Sequence, residues 1–140
     1  MARKRRKEKM AYAENHGLLD VFAAECHGHL AAMRASLAAV RAARSAESGA
    51  AATATPAGAL ADTLHTLAGA ARAVDLLDLE YLCRAIEDLV AAGSLHEDQL
   101  LLIDAAVDMA PHLLTAPAGR VRNQMISLVS RCRAAAGALS

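Results

Sequence analysis

Tryptophan is absent from this 140-residue chain, phenylalanine occurs once and tyrosine twice, so the large groups of any core must be aliphatic. Proline occurs only three times, which leaves long stretches free to run as uninterrupted helix. The three cysteines, Cys26, Cys83 and Cys132, are odd in number, far apart and without a CxxC pair. That spacing excludes both a disulfide framework and a zinc site, and it fits a reducing compartment, so a cytoplasmic location is expected. No apolar run reaches the roughly 18 to 20 residues of a membrane span, and the basic start is not followed by the apolar stretch of a signal peptide. HExxH, a glycine-rich phosphate loop and a Ser/His/Asp arrangement are all missing. The six histidines show no metal-ligand spacing: His27 and His29 point about 200° apart on a helix, and His16, His96 and His112 have no partners. No metal or cofactor is therefore expected on this chain.

What is present is a chain 55% hydrophobic, much of it alanine, the best helix former. The composition predicts an all-α protein, and the length suits one domain. Net charge is zero but unevenly placed. Residues 1–9 hold six basic side chains and one acid, so the remainder is acidic by five charges. Residues 1–16 are expected to form a disordered basic arm. A helical nucleic-acid-binding protein would rest on residues 3–9 alone, and the acidic body makes nucleic acid an unlikely partner.

Five helical segments follow from periodicity. Leu18, Phe22, Cys26, Leu30, Met33, Leu37 and Val40 define one face of a helix over about 17–44. Ser45–Thr55 reads as a mobile loop that ends in Thr55-Pro56, a cap followed by proline at the first helical position. A second helix over about 56–73 buries Leu60, Leu64, Leu67, Ala71 and Val74, and a third over about 76–92 stops at Gly93. Ser94-Leu95-His96-Glu97 reads as a capping box opening a fourth helix to about 115, which Pro111 should bend or shorten. A fifth covers about 119–137. Short connections predict an antiparallel up-down four-helix bundle over 17–115, with residues 116–140 as an appended C-terminal helix.

His65 lies roughly 150° from the stripe centred on Leu64 and Leu67, so it should point outward. Its helical neighbours Ala61, Ala68 and Gly69 are small, with Arg72 one turn further on. Gly69 costs about 1 kcal/mol of helix stability relative to Ala, which makes sense where another protein must come close to the backbone. An imidazole with an ordinary pKa of about 6.5 is a competent nucleophile near neutrality, which suits phosphoryl transfer. Glu87 would sit at the height of His65 if the second and third helices form an antiparallel hairpin, where its carboxylate could fix the ring tautomer. A solvated surface histidine, and a Glu87 paired simply with Arg84, fit the same spacing.

The segments Asp20-Val21-Phe22-Ala23-Ala24-Glu25, Leu64-His65-Thr66-Leu67-Ala68-Gly69-Ala70-Ala71 and Leu82-Cys83-Arg84-Ala85-Ile86-Glu87 together resemble a histidine-containing phosphotransfer (HPt) domain. The resemblance covers about residues 17–115 and is strongest to the HPt domains of chemotaxis-type and twitching-motility-type sensor kinases. It implies a helical bundle whose exposed histidine is phosphorylated and passes the phosphoryl group to an aspartate of a response-regulator receiver domain. His65 then matches the phosphoacceptor, Gly69 the docking glycine and Glu87 the carboxylate that orients the imidazole. The implied partners are an upstream histidine kinase and a receiver domain, with Mg2+ on the receiver. The chain itself would be a phosphorelay intermediate without an ATP site. One position departs from the family. A lysine usually follows the histidine by three residues to help neutralise phosphate, and here that position is Ala68; Arg72 is the expected replacement. The same departure suits a second reading, an HPt-like module that docks to a receiver or kinase without being phosphorylated.

Overall fold

The computed structural model describes the backbone of residues 2–46, 50–93, 95–115 and 118–139, and the side chains of 17–46, 53–93, 95–115 and 118–138. Among these residues every regular element is helical: α1 (Ala2–Ser45), α2 (Ala50–Ala73), α3 (Leu77–Ala91), α4 (Glu97–Met109) with a 3-10 turn over Ala110–Leu113, and α5 (Gly119–Leu139). The all-α expectation is met, with the third and fifth helices ending close to where periodicity places them.

Two starts differ from the sequence reading. The backbone of α1 is helical from Ala2, so the expected disordered arm is part of the first helix. Its residues are mostly Arg, Lys, Glu, Ala and Met, good helix formers, with no proline and no glycine before Gly17. Helix α2 begins at Ala50 and carries Pro56 inside it, so residues 50–55 of the expected loop are helical, and residues 47–49 lie outside the described ones. The alanine-rich run ahead of Pro56 has enough helix propensity to extend the helix past a proline that removes one backbone hydrogen bond.

Pro111 acts as expected: the α-helix stops at Met109 and the chain tightens into the 3-10 turn. The start of α4 is different. His96 precedes the helix, and its backbone N–H donates to Gln99 Oε1 at 2.9 Å. The capping interaction is therefore shifted two residues from the Ser94/Glu97 pair, and Ser94 lies outside the described residues. Glu97 is engaged elsewhere. Its carboxylate lies 3.0 Å from Arg41 Nη2 of α1, and the same Arg41 nitrogen reaches Asp104 Oδ2 at 2.7 Å.

The helices pack in the spatial order α1, α2, α3, α5, α4, and α4 closes back onto α1. Helix α5 is thus not an appendage. Met125, Leu128, Val129 and Cys132 are buried in the same core as Leu30, Met33 and Leu37 of α1 and Leu82, Ile86 and Leu89 of α3. On the surface, Arg122 lies 3.7 Å from Asp78, and Arg133 stands 5.1 Å over the Tyr81 ring, both linking α5 to α3. No polar or charged residue is buried among the described ones. Leu18, expected on the core face of α1, is exposed. The buried stripe begins at Phe22, one turn later.

Helices α2 and α3 are joined by a turn that fixes the hairpin. Leu76 N–H donates to Ala71 O at 2.9 Å and Asp75 N–H to Arg72 O at 3.1 Å, the paired bonds of a Schellman cap. Asp75 takes the left-handed position with φ of 61°, where glycine is commoner. The chain then folds back at once.

Candidate functional site

Three side chains of α3, Glu80, Arg84 and Glu87, recur at intervals of four and three and so share one face. That face meets the flank of α2 that carries His65 and Arg72. Glu80 and Glu87 are mostly covered, with side chains 16% and 23% exposed, whereas the His65 side chain is 74% exposed. The Glu87 carboxylate is therefore largely covered beside a ring that stands in solvent.

His65 Nδ1 lies 3.5 Å from Glu87 Oε2. The hairpin thus brings together the histidine and carboxylate that the sequence separates by 22 positions. Arg84 enters the same cluster: its Nη1 is 3.3 Å from His65 Nδ1 and donates to Glu87 Oε1 at 3.0 Å. Its Nη2 is 3.8 Å from Glu80 Oε2. Among the described residues no hydrogen bond or ion pair involves His65 Nε2, so the ring's polar contacts all gather on Nδ1.

Residues 17–129, most of the chain, match the Hpt domain. The chain belongs to the Hpt domain family. No curated protein and no solved structure matches it. Hpt domains serve histidine phosphotransfer in phosphorelays and interact with kinases and receiver domains. The Hpt match runs past residue 115 into α5, in keeping with the place of that helix in the core.

Around His65, the small neighbours divide. Gly69 is exposed and a Cβ built on it meets nothing within 4 Å, while Ala61 is half-buried. Both leave room beside the ring. Ala68 does not belong with them: it is completely buried. Its place four residues after Leu64 puts it in the stripe Leu64, Leu67, Ala68, Ala71, so its methyl packs inward and cannot line a docking surface. Arg72 also lies differently from expectation. Its Nη1 is 3.8 Å from Glu80 Oε2, and Arg84 is the cation at the imidazole. The signal for Arg84 was its spacing three residues before Glu87 and four after Glu80, but only the hairpin shows that the same guanidinium also reaches His65.

All three cysteines are buried, and burial pushes the Cys26 and Cys83 thiols up to about 11 and about 12. No group of three or more His, Cys, Asp or Glu among the described residues could hold a metal ion. No described helix is long and apolar enough to cross a membrane.

Proposed function

We propose that this Hpt domain carries a phosphoryl group on His65 Nε2 between an upstream histidine kinase and an aspartate of a response-regulator receiver. The observation that supports this most directly is the exposed ring with Nδ1 3.5 Å from Glu87. A proton on Nδ1, held toward the Glu87 carboxylate, leaves the lone pair on Nε2. That lone pair attacks phosphorus, the donor's bond to phosphorus breaks, and its electron pair leaves with the donor. The ring becomes cationic as the N–P bond forms, and the carboxylate beside Nδ1 offsets that charge. In the forward transfer a receiver carboxylate oxygen attacks phosphorus, and the N–P bonding pair returns to Nε2. The Mg2+ for that step belongs to the receiver.

Gly69 and Ala61 give the partner room to approach, and Arg84 is the nearest cation. Arg72, drawn toward Glu80, is a more distant source of positive charge that can turn to phosphate only by leaving that contact. Docking without phosphorylation draws its support from the absence of a cation at Ala68, and Arg84 at 3.3 Å from the ring weakens that ground. The carboxylate beside the imidazole is the feature that favours a chemotaxis-type or twitching-motility-type relationship. An antiparallel up-down core and a cytoplasmic setting accompany this reading. Incubation with an active sensor kinase should give acid-labile, alkali-stable phosphate in the wild type and none in His65→Gln, with the helical spectrum unchanged. Phosphate retained by the Gln variant refutes the choice of residue.

A further inference from the structure

The two groups at His65 Nδ1 make opposite demands on the ring. Arg84 Nη1, at 3.3 Å, can only donate, so it requires a lone pair on Nδ1 and a proton on Nε2. Glu87 Oε2, at 3.5 Å, can only accept, so it requires the proton on Nδ1 and frees the lone pair of Nε2. A neutral imidazole satisfies one of them at a time. The guanidinium is held in this position from both sides, by Glu87 Oε1 at 3.0 Å and by Glu80 Oε2 at 3.8 Å. It therefore does more than balance the charge of α3.

We infer that Arg84 is a positioning residue that sets the tautomer of His65, competing with Glu87 for Nδ1 and holding part of the resting population with its proton on Nε2. In that tautomer Nε2 has no lone pair and cannot attack phosphorus. Moving the guanidinium off Nδ1 lets the ring exchange protons through water, losing one from Nε2 and gaining one at Nδ1, where Glu87 accepts it. An arriving phosphoryl group is anionic and attracts an arginine fork, so approach of the donor favours the reactive tautomer. The consequence for transfer rests on the role proposed for His65; the tautomer balance does not.

The test uses the 15N-labelled full chain and long-range 1H–15N correlation spectra of the imidazoles, read on the alkaline plateau of a pH series where the His65 shifts no longer change. His65→Gln identifies the signals. The wild type is expected to show shifts averaged between the two tautomers. Arg84→Met should move the ratio at least threefold toward the Nδ1–H form, and Glu87→Ala should move it in the opposite direction. A ratio in Arg84→Met that moves less than threefold toward Nδ1–H, or moves toward Nε2–H, overturns the inference. Phosphorylation by phosphoramidate is read separately on the wild type: its absence with the tautomer shift intact removes the phosphotransfer reading and leaves the role of Arg84 standing, whereas phosphorylation with no tautomer shift removes only the role of Arg84.

Discussion

Replacing Gly69 should raise the stability of the protein while lowering its phosphotransfer rate. The glycine is exposed, lies one turn after His65 on α2, and has open space where a Cβ would stand. Alanine there gains up to about 1 kcal/mol of helix propensity. Because α2 ends at Ala73, four residues on, somewhat less than the full amount is expected, about 0.5–1 kcal/mol. For a chain of this length such a gain corresponds to a rise of about 2–4 °C in Tm. Gly69→Gln should gain slightly less, since glutamine is a poorer helix former than alanine. Its side chain, however, stands where a partner must bring a reacting oxygen within about 3–3.5 Å of Nε2, and misplacement by about 1 Å costs on the order of a hundredfold in rate. We expect transfer from phosphorylated protein to a receiver to fall at least about tenfold in Gly69→Gln on that basis, with a smaller loss in Gly69→Ala. Thermal unfolding followed by circular dichroism measures the first effect and rapid-quench transfer of labelled phosphate the second. Wild-type transfer by the Gln variant would show that the receiver docks elsewhere, and a lower Tm in both variants would refute the reasoning about open space.

Leu64→Ala should destabilise the fold by about 2–5 kcal/mol in urea denaturation, because Leu64 is fully buried on the core face of α2, about 100° round the helix from His65. Asp75→Gly should leave stability unchanged or raise it by about 0.5–1 kcal/mol, since Asp75 occupies a left-handed conformation at the cap of α2; a clear loss would mean that its side chain contributes more than the backbone costs. The buried thiols make stability fall in alkali. Their folded values lie above the ordinary 9.0, at about 11 for Cys26 and about 12 for Cys83, so their contribution is complete below about pH 9 and is lost as pH rises toward 12. Denaturation midpoints between pH 8 and pH 11 should decline less in Cys83→Ala than in the wild type, relative to each protein's own value at pH 8.

The features legible in the sequence were those fixed by short-range periodicity. Leu79, Leu82, Cys83, Ile86 and Leu89 mark the buried face of α3 whatever it packs against, and the outward direction of His65 follows from its angle to Leu64 and Leu67. Local signals that compete were harder to rank. The Thr55-Pro56 pair reads as a helix start, yet alanine-rich sequence before it sustains helix from Ala50. Ser94 and Glu97 have the spacing of a capping box, yet Glu97 pairs with Arg41 across the bundle. Leu18 has the right period for the core of α1, yet the buried stripe begins one turn beyond it. Ala68 shows how little a small residue says about its own side of a helix, since an alanine fits either an open surface or a close helix contact.

By itself the sequence determined that the chain is helical, where most of its helices lie, and that one imidazole stands off the apolar face, because each depends on residues within a few turns of one another. The tertiary structure decided which helices are neighbours, placing α5 between α3 and α4, and which charges share a site. Arg84 could pair with Glu80 or Glu87 within its own helix at i±3 or i±4. That it also meets His65, while Arg72 meets Glu80, depends on the height at which the Asp75 turn sets α3 against α2. Periodicity carries no information about that height; it is set by the packing of two faces and the bonds of one turn.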